Sequence, residues 1–189
     1  MGHREELLAA ARRLLIEKGY ARTTARDLVA ESATNLASIG YHFGSKEALL
    51  AEALDGVFLE YAAKMVAIAA TAGDGPADPA EAVRASWVAM TDMQEEFRPF
   101  LVAFVEALAQ AERSGPLRAK LAAGYEEMRQ QIIAGVQQVV PDAPGDVARA
   151  VASFFIAVSD GYMVQWLLDP DATPGGAELL EAARLTLTA

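Results

Sequence analysis

The chain has no cysteine and only two histidines, His3 and His42, among its 189 residues. Without thiolates, disulfides, cysteine nucleophiles and sulfur-rich zinc or iron centres are excluded. The two imidazoles lie far apart in sequence and no spaced carboxylate pair accompanies His42, so neither a metal nor a cofactor is expected. Positive charge is also scarce: 16 Lys plus Arg against 26 Asp plus Glu give a formal charge of -10, so the molecule is no polycation that coats nucleic acid indiscriminately. Any DNA contact must be local. The opening residues MGHREELLAAARRLLIEKGY put Glu5, Glu6, Arg12 and Arg13 where a secretory signal needs an uncharged apolar stretch, so a cytoplasmic location is expected. Long apolar runs are missing as well. The most apolar segment is interrupted by Asp160 after ten uncharged residues, short of the roughly 18 to 20 needed to cross a bilayer, and no membrane span is expected.

What is present is alanine, at 40 positions, and apolar residues recurring at spacings of three and four with almost no β-branched alternation. This pattern predicts an all-α protein. Leu7, Ala11, Leu14 and Leu15 make one stripe of a first helix over about 4–18, and Gly19 stands where a left-handed cap would end it. Thr24 with Asp27 has the spacing of a capping box and opens a second helix that ends near Ser32. Asn35 caps a short third helix to Phe43, and Gly44-Ser45 stops it and caps a fourth that runs to about Thr71. The breakers AGDGPADP, Arg98-Pro99, Ser114-Gly115-Pro116, PDAPG and DPDATPGG then divide the remainder into five helices: one near 80–97, one containing FLVAFVEALAQ, and others near 114–140, 146–168 and 177–187. The total is about nine.

Charge is unevenly distributed. Residues 1–47 hold 7 Lys plus Arg against 6 Asp plus Glu, while 48–189 hold 9 against 20, so a near-neutral head precedes an acidic body. Such a body would repel DNA and restrict how the head docks. Within the head, TTARDLVAESATNLASIGYHFGSKEALL (23–50) reads as a capped helix, a short turn, a capped short helix with an aromatic end, and a third capped helix. This segment resembles the tetracycline-repressor (TetR) family of bacterial transcription regulators, most strongly over about 4–55, with YHFGSKEALL following the family's pattern after its recognition helix. The resemblance implies a dimeric all-helical regulator. A three-helix helix-turn-helix domain would occupy 1–47 and put helix 35–43 into the major groove, and 48–189 would form a helical ligand-binding and dimerisation domain.

The helix N-termini at Thr24 and Ser45 suit phosphate oxygens. Arg26, Lys46, the Tyr41 hydroxyl and the His42 imidazole are expected as further phosphate donors, in line with the family's use of those motif positions. Thr34, Asn35, Leu36, Ala37 and Ser38 are expected to read bases through hydroxyl contacts and thymine methyls. No Arg or Lys lies between 27 and 45, so a guanine fork from this helix is not expected, and Arg22, Arg26 or DNA shape should contribute more. Gly40 departs from the family pattern, where a bulky residue is usual. It reads either as a close backbone approach to DNA or as a tolerated small residue, and Phe43 reads as a plug of the head's core.

In the body, Trp87, Met90, Met93, Phe97, Phe104, Tyr125, Met128, Phe155, Met163 and Trp166 are the bulky candidates for the walls of an apolar effector cavity. Asp92, Glu106, Gln131 and Asp160 are candidate polar anchors, although Asp92 and Glu106 also read as solvent-facing. Small residues interleave with large ones near the C-terminus, and SDGYMVQWLLDPD (159–171) resembles the family's penultimate helix. A homodimer interface through Ala152, Phe154, Ser159, Gly161, Tyr162 and Gln165 follows from that resemblance. It would set two recognition helices about 34 to 36 Å apart, and a ligand that alters the separation would release the operator.

The leading expectation is therefore a repressor that binds a palindromic double-stranded operator as a dimer and is released by a small, mostly apolar effector. A helical enzyme or carrier using the body's cavity is the alternative from another class. It lacks a carboxylate–histidine pair for acid-base chemistry, so no catalytic residue is expected. An activator, or a regulator needing a corepressor, is not separated from a repressor by the residues.

Overall fold

The structure is a computed structural model and describes residues 2–71 and 79–187. Among these residues the chain forms nine helices and no strand: α1 (His3–Arg22), α2 (Ala25–Ser32), α3 (Leu36–Phe43), α4 (Lys46–Thr71), α5 (Pro79–Asp92), α6 (Gln94–Ala111), α7 (Gly115–Val139), α8 (Gly145–Leu168) and α9 (Gly176–Leu187). The AGDGPADP breaker lies, up to its final proline, outside the described residues. The helices gather into two compact units, one of residues 1–58 and 97–125, the other of 59–96 and 126–189.

In the first unit the stripe read from the sequence is the buried face of α1, with Leu7, Ala11, Leu14 and Leu15 at most 3% exposed. Gly19 does leave the helix, at φ 76° and ψ 176°, but the chain resumes a helical turn to Arg22 instead of ending at 18. Leu28 of α2, Ile39 of α3 and Leu49, Leu50 and Leu54 of α4 complete this small core, joined by Leu101, Phe104 and Leu117. Phe58, Phe104 and Tyr125 form an aromatic cluster beside it, with centroids 4.8 and 5.9 Å apart.

In the second unit the boundary between α5 and α6 falls at Met93, five residues before the Arg98-Pro99 bend read from the sequence, and Pro99 lies inside α6. The Met90 carbonyl, which would accept the next rung of α5, instead accepts from the Tyr61 hydroxyl at 3.0 Å and the Gln94 side-chain amide at 3.2 Å. Those two donors end the helix there. The core of this unit comprises Met65, Trp87, Met90, Ala152, Ile156, Met163 and Trp166.

By length and composition α8 could cross a membrane, unlike the segment as read from its sequence, because the single Asp160 does not offset its mean apolarity. One face of α8 is nevertheless packed inside the unit through Ala148, Ala152, Ile156, Tyr162, Met163 and Trp166.

The α7 and α8 helices are also tied by charge. Arg149 donates two hydrogen bonds to Glu126, at 2.8 and 3.0 Å, and Gln130 and Arg129 donate to the same carboxylate. These donors, Arg149 foremost, hold the Glu126 pKa down from 4.5 to about 2. A carboxylate depressed in the folded state adds stability above its unfolded pKa and loses it as the pH falls through the folded value. The contribution should therefore vanish between about pH 4.5 and 2. In acid-unfolding titrations, Glu126→Gln should flatten the loss over that interval; an unchanged curve would remove this pair from the acid response.

Candidate nucleic-acid interface and cavity

Local capping builds the head. Thr24 Oγ1 accepts from the Asp27 amide at 3.1 Å while Asp27 Oδ2 accepts from the Thr24 amide at 2.9 Å, the reciprocal box read from the sequence. Lys18 Nζ donates to Asp27 Oδ1 at 2.6 Å, and these bonds hold the Asp27 carboxyl well below the usual carboxylate range. Ala33 turns the chain in the left-handed region at φ 53°. Asn35 Oδ1 then accepts from the Ser38 amide at 3.1 Å to open α3, Gly44 at φ 80° closes it, and Ser45 Oγ accepts from the Ala48 amide at 3.0 Å to open α4.

On α3 the exposed residues are Leu36, Ala37, Gly40 and Tyr41, one continuous face, whereas Ser38 and Ile39 turn inward. Tyr41 is 86% exposed and Leu36 54%. Ser38 is buried and its hydroxyl donates to Asn35 Oδ1 at 3.3 Å, so it braces the cap beneath the exposed face. Thr34 is half-buried, its hydroxyl 2.8 Å from that of Ser32. A Cβ at Gly40 would meet nothing within 4 Å, so no contact within the protein requires glycine there.

Arg22, Thr24, Arg26 and Asn35 are exposed, and His42 and Lys46 are half-buried. Lys46 Nζ donates to the Thr23 carbonyl at 3.1 Å, and the Arg4 guanidinium lies over the Phe43 ring at 5.2 Å. Tyr20 of α1 is buried, and burial with the Glu47 charge pushes its phenol up to about 12.

The second unit holds a cavity of about 310 Å³ lined from α4, α5, α7 and α8 by residues that include Met65, Val66, Ala69, Ala82, Ser86, Trp87, Gly135, Val136, Val139 and Phe155. Val83, Val140, Val151 and Phe154 also line it and are partly exposed, marking its mouth. Among the described residues that line it none is charged, and the hydroxyl of Ser86 is already donated to the Ala82 carbonyl at 2.8 Å.

Of the bulky residues named from the sequence, Trp87 and Phe155 are on this wall, with rings 5.9 Å apart. Met90, Met163 and Trp166 are buried core of the same unit, Met93 and Met128 are half-buried, and Phe97, Phe104 and Tyr125 belong to the other unit. The wall consists mainly of small and β-branched residues, which carry no such signal in the sequence.

Along α8, Phe154, Gly161 and Gln165 face outward together with Val147, Val151 and Leu168. Ala152 and Tyr162 are buried within the chain, and half-buried Ser159 donates its hydroxyl to the Phe155 carbonyl at 2.8 Å.

A capped α2, a three-residue turn and a short α3 with an exposed face are the parts of a helix-turn-helix, and they define a DNA-binding regulator of transcription. The chain belongs to the tetR family of bacterial regulatory proteins, whose N-terminal pattern matches residues 7–53; the pattern described as the C-terminal part of BetI-type transcriptional repressors matches 79–188. This is a family of regulators, not enzymes. The HTH-type transcriptional regulator BetI of Agrobacterium fabrum (strain C58) is 27% identical over 163 residues, which is 86% of this chain and 75% of that protein. Among solved structures, the multidrug binding protein EbrR complexed with imidazole superposes with a TM-score of 0.68 at 25% identity over 96% of this chain and 94% of that one. The TetR family repressor AlkX from Dietzia sp. strain DQ12-45-1b, implicated in biodegradation of n-alkanes, superposes at 0.67 and 14% identity over 97% and 92%, a likeness of fold.

Proposed function

We propose that this protein is a cytoplasmic, ligand-released repressor: residues 1–47 hold a palindromic operator as paired heads, and an uncharged apolar effector entering the 48–189 domain lowers operator affinity. The observation that carries the ligand part is the cavity of about 310 Å³ with no charged residue among the described residues of its wall. Burying an unpaired charge there would cost several kcal/mol, whereas each buried methylene contributes about 0.8 kcal/mol. That similar folds are recorded with small molecules, EbrR with imidazole and with proflavin, supports a ligand-holding role.

Exposed α3 residues Leu36, Ala37 and Tyr41, with Arg22, Thr24, Arg26 and Lys46 around them, support DNA docking through this face. The outward apolar stripe of α8, running through Val147, Val151, Phe154, Gly161 and Leu168, supports pairing through that helix.

The test is a thermal-shift panel of uncharged hydrocarbons and aromatics alongside charged analogues. A fitting neutral compound at one hundred times its Kd should add about 2.7 kcal/mol and raise Tm by roughly 5 to 10 °C. The same compound should release an operator fragment taken from upstream of the coding region. Stabilisation by the charged analogues alone would overturn the assignment of an apolar effector.

A further inference from the structure

Gly19 interrupts α1 at φ 76° and ψ 176°, and a helical turn resumes over Tyr20–Arg22 beyond it. The Ala21 amide is accepted at 2.9 Å by Oε2 of Glu106, a half-buried residue of α6 lying 85 positions further along the chain. A Cβ at position 19 would stand 3.1 Å from that same oxygen, so glycine serves both the backbone angle and the approach of the carboxylate.

Around this point the link between α1 and α2 is bonded at nearly every residue. The Thr23 hydroxyl donates to the Gly19 carbonyl at 2.7 Å, Lys46 Nζ donates to the Thr23 carbonyl at 3.1 Å, and Thr24 caps α2. A carboxylate accepting from an amide in the turn after a helix break is a favourable charge-to-dipole contact, and here it comes from outside the three-helix head.

We propose that Glu106 is a positioning residue for DNA binding: by capping the broken end of α1 it fixes the Thr23-Thr24 backbone, and through it the spacing between the α2 N-terminus and the Lys46 ammonium that together clamp phosphate. The inference rests on the assignment of Thr24 and Lys46 to phosphate. Without Glu106 the turn loses its acceptor, Thr24 and Lys46 drift apart, and one phosphate contact per head is lost while the core beneath, led by Leu7, Leu28 and Leu49, stays packed.

The test measures binding of the full chain to a short duplex of scrambled sequence across a salt titration, for the wild type, Glu106→Ala, Glu106→Gln and Lys46→Ala. Glu106→Ala should bind roughly sixtyfold more weakly near 0.1 M salt and lower the slope of log K against log salt by about one per head, as Lys46→Ala does. Glu106→Gln keeps an oxygen for the Ala21 amide and should retain the wild-type slope. A role confined to folding would move Tm and leave the slope alone. A wild-type slope in Glu106→Ala, or equal losses in the glutamine and alanine variants, overturns the proposal; a wild-type slope in Lys46→Ala shows that the phosphate assignment itself has failed and takes the proposal with it. Independently of any variant, the Ala21 amide of the free wild-type protein should be protected from hydrogen exchange, and rapid exchange there would equally overturn it.

Discussion

Gly176→Ala should lower the unfolding free energy by about 3 kcal/mol and Tm by roughly 6 to 12 °C, measured by calorimetry, the largest effect expected of a glycine-to-alanine change among the described residues. The first residue of α9 is buried against α5, where its amide donates to Thr91 Oγ1 at 3.0 Å. A Cβ would lie 2.2 Å from the Trp87 carbonyl oxygen, 2.4 Å from its carbon and 2.6 Å from the Val88 nitrogen. All three are backbone atoms of a helix and cannot rotate aside as a side chain could. Relief requires α9 to withdraw from α5, which breaks the Thr91 bond and unpacks the contact. The preceding residue is the control: a Cβ at Gly175 would meet only Glu178 Oε2, at 3.9 Å, so Gly175→Ala should stay within about 0.5 kcal/mol of the wild type. If the two substitutions cost the same, the close approach of the two helices is not what holds α9.

Local chemistry is legible in the sequence, and contacts between distant segments are not. Thr24, Asn35 and Ser45 cap the helices assigned to them because capping is decided within four residues, by a side-chain oxygen and an amide that are neighbours in sequence. Gly19 was readable as a break for the same local reason. The resumption of the helix after it was not, since the acceptor of the Ala21 amide is Glu106. Likewise α5 stops at a carbonyl claimed by Tyr61, a residue of α4, so the weaker-looking Met93 and not the proline marks the boundary.

The cavity is a third instance. Trp87 and Phe155 were accessible to a reading that looked for bulk, but empty space arises where bulk is lacking, and Ala69, Ala82 and Gly135 supply that lack only once three helices face one another. Ser38 is expected to face DNA from its place near the N-terminal end of the recognition helix, but its side chain is buried and its hydroxyl donates to Asn35 Oδ1.

Raising salt from 50 to 200 mM should weaken operator binding by about 10⁴-fold, and that loss should be nearly the same for a scrambled duplex. If Thr24, Arg26, Tyr41 and Lys46 each meet a phosphate in both heads, the eight contacts imply a slope near -7, and a fourfold change in salt then gives a loss of that size. The acidic body, with 9 basic against 20 acidic residues over 48–189, should add repulsion but no counterion release, so on the proposed division affinity should come from the heads. Discrimination has a different origin. The exposed face of α3 carries Leu36, Ala37, Gly40 and Tyr41 and no charged side chain, so preference should rest on thymine methyls. Replacing a contacted thymine by deoxyuracil removes one methyl and should cost about 0.8 kcal/mol, close to fourfold, at either salt concentration. Leu36→Ala should abolish that sensitivity at the base it meets while leaving the salt slope intact. If instead deoxyuracil is neutral and 7-deazaguanine, which lacks the N7 acceptor, is costly, then an arginine from outside α3 reads the operator and the apolar face serves only to fill the groove.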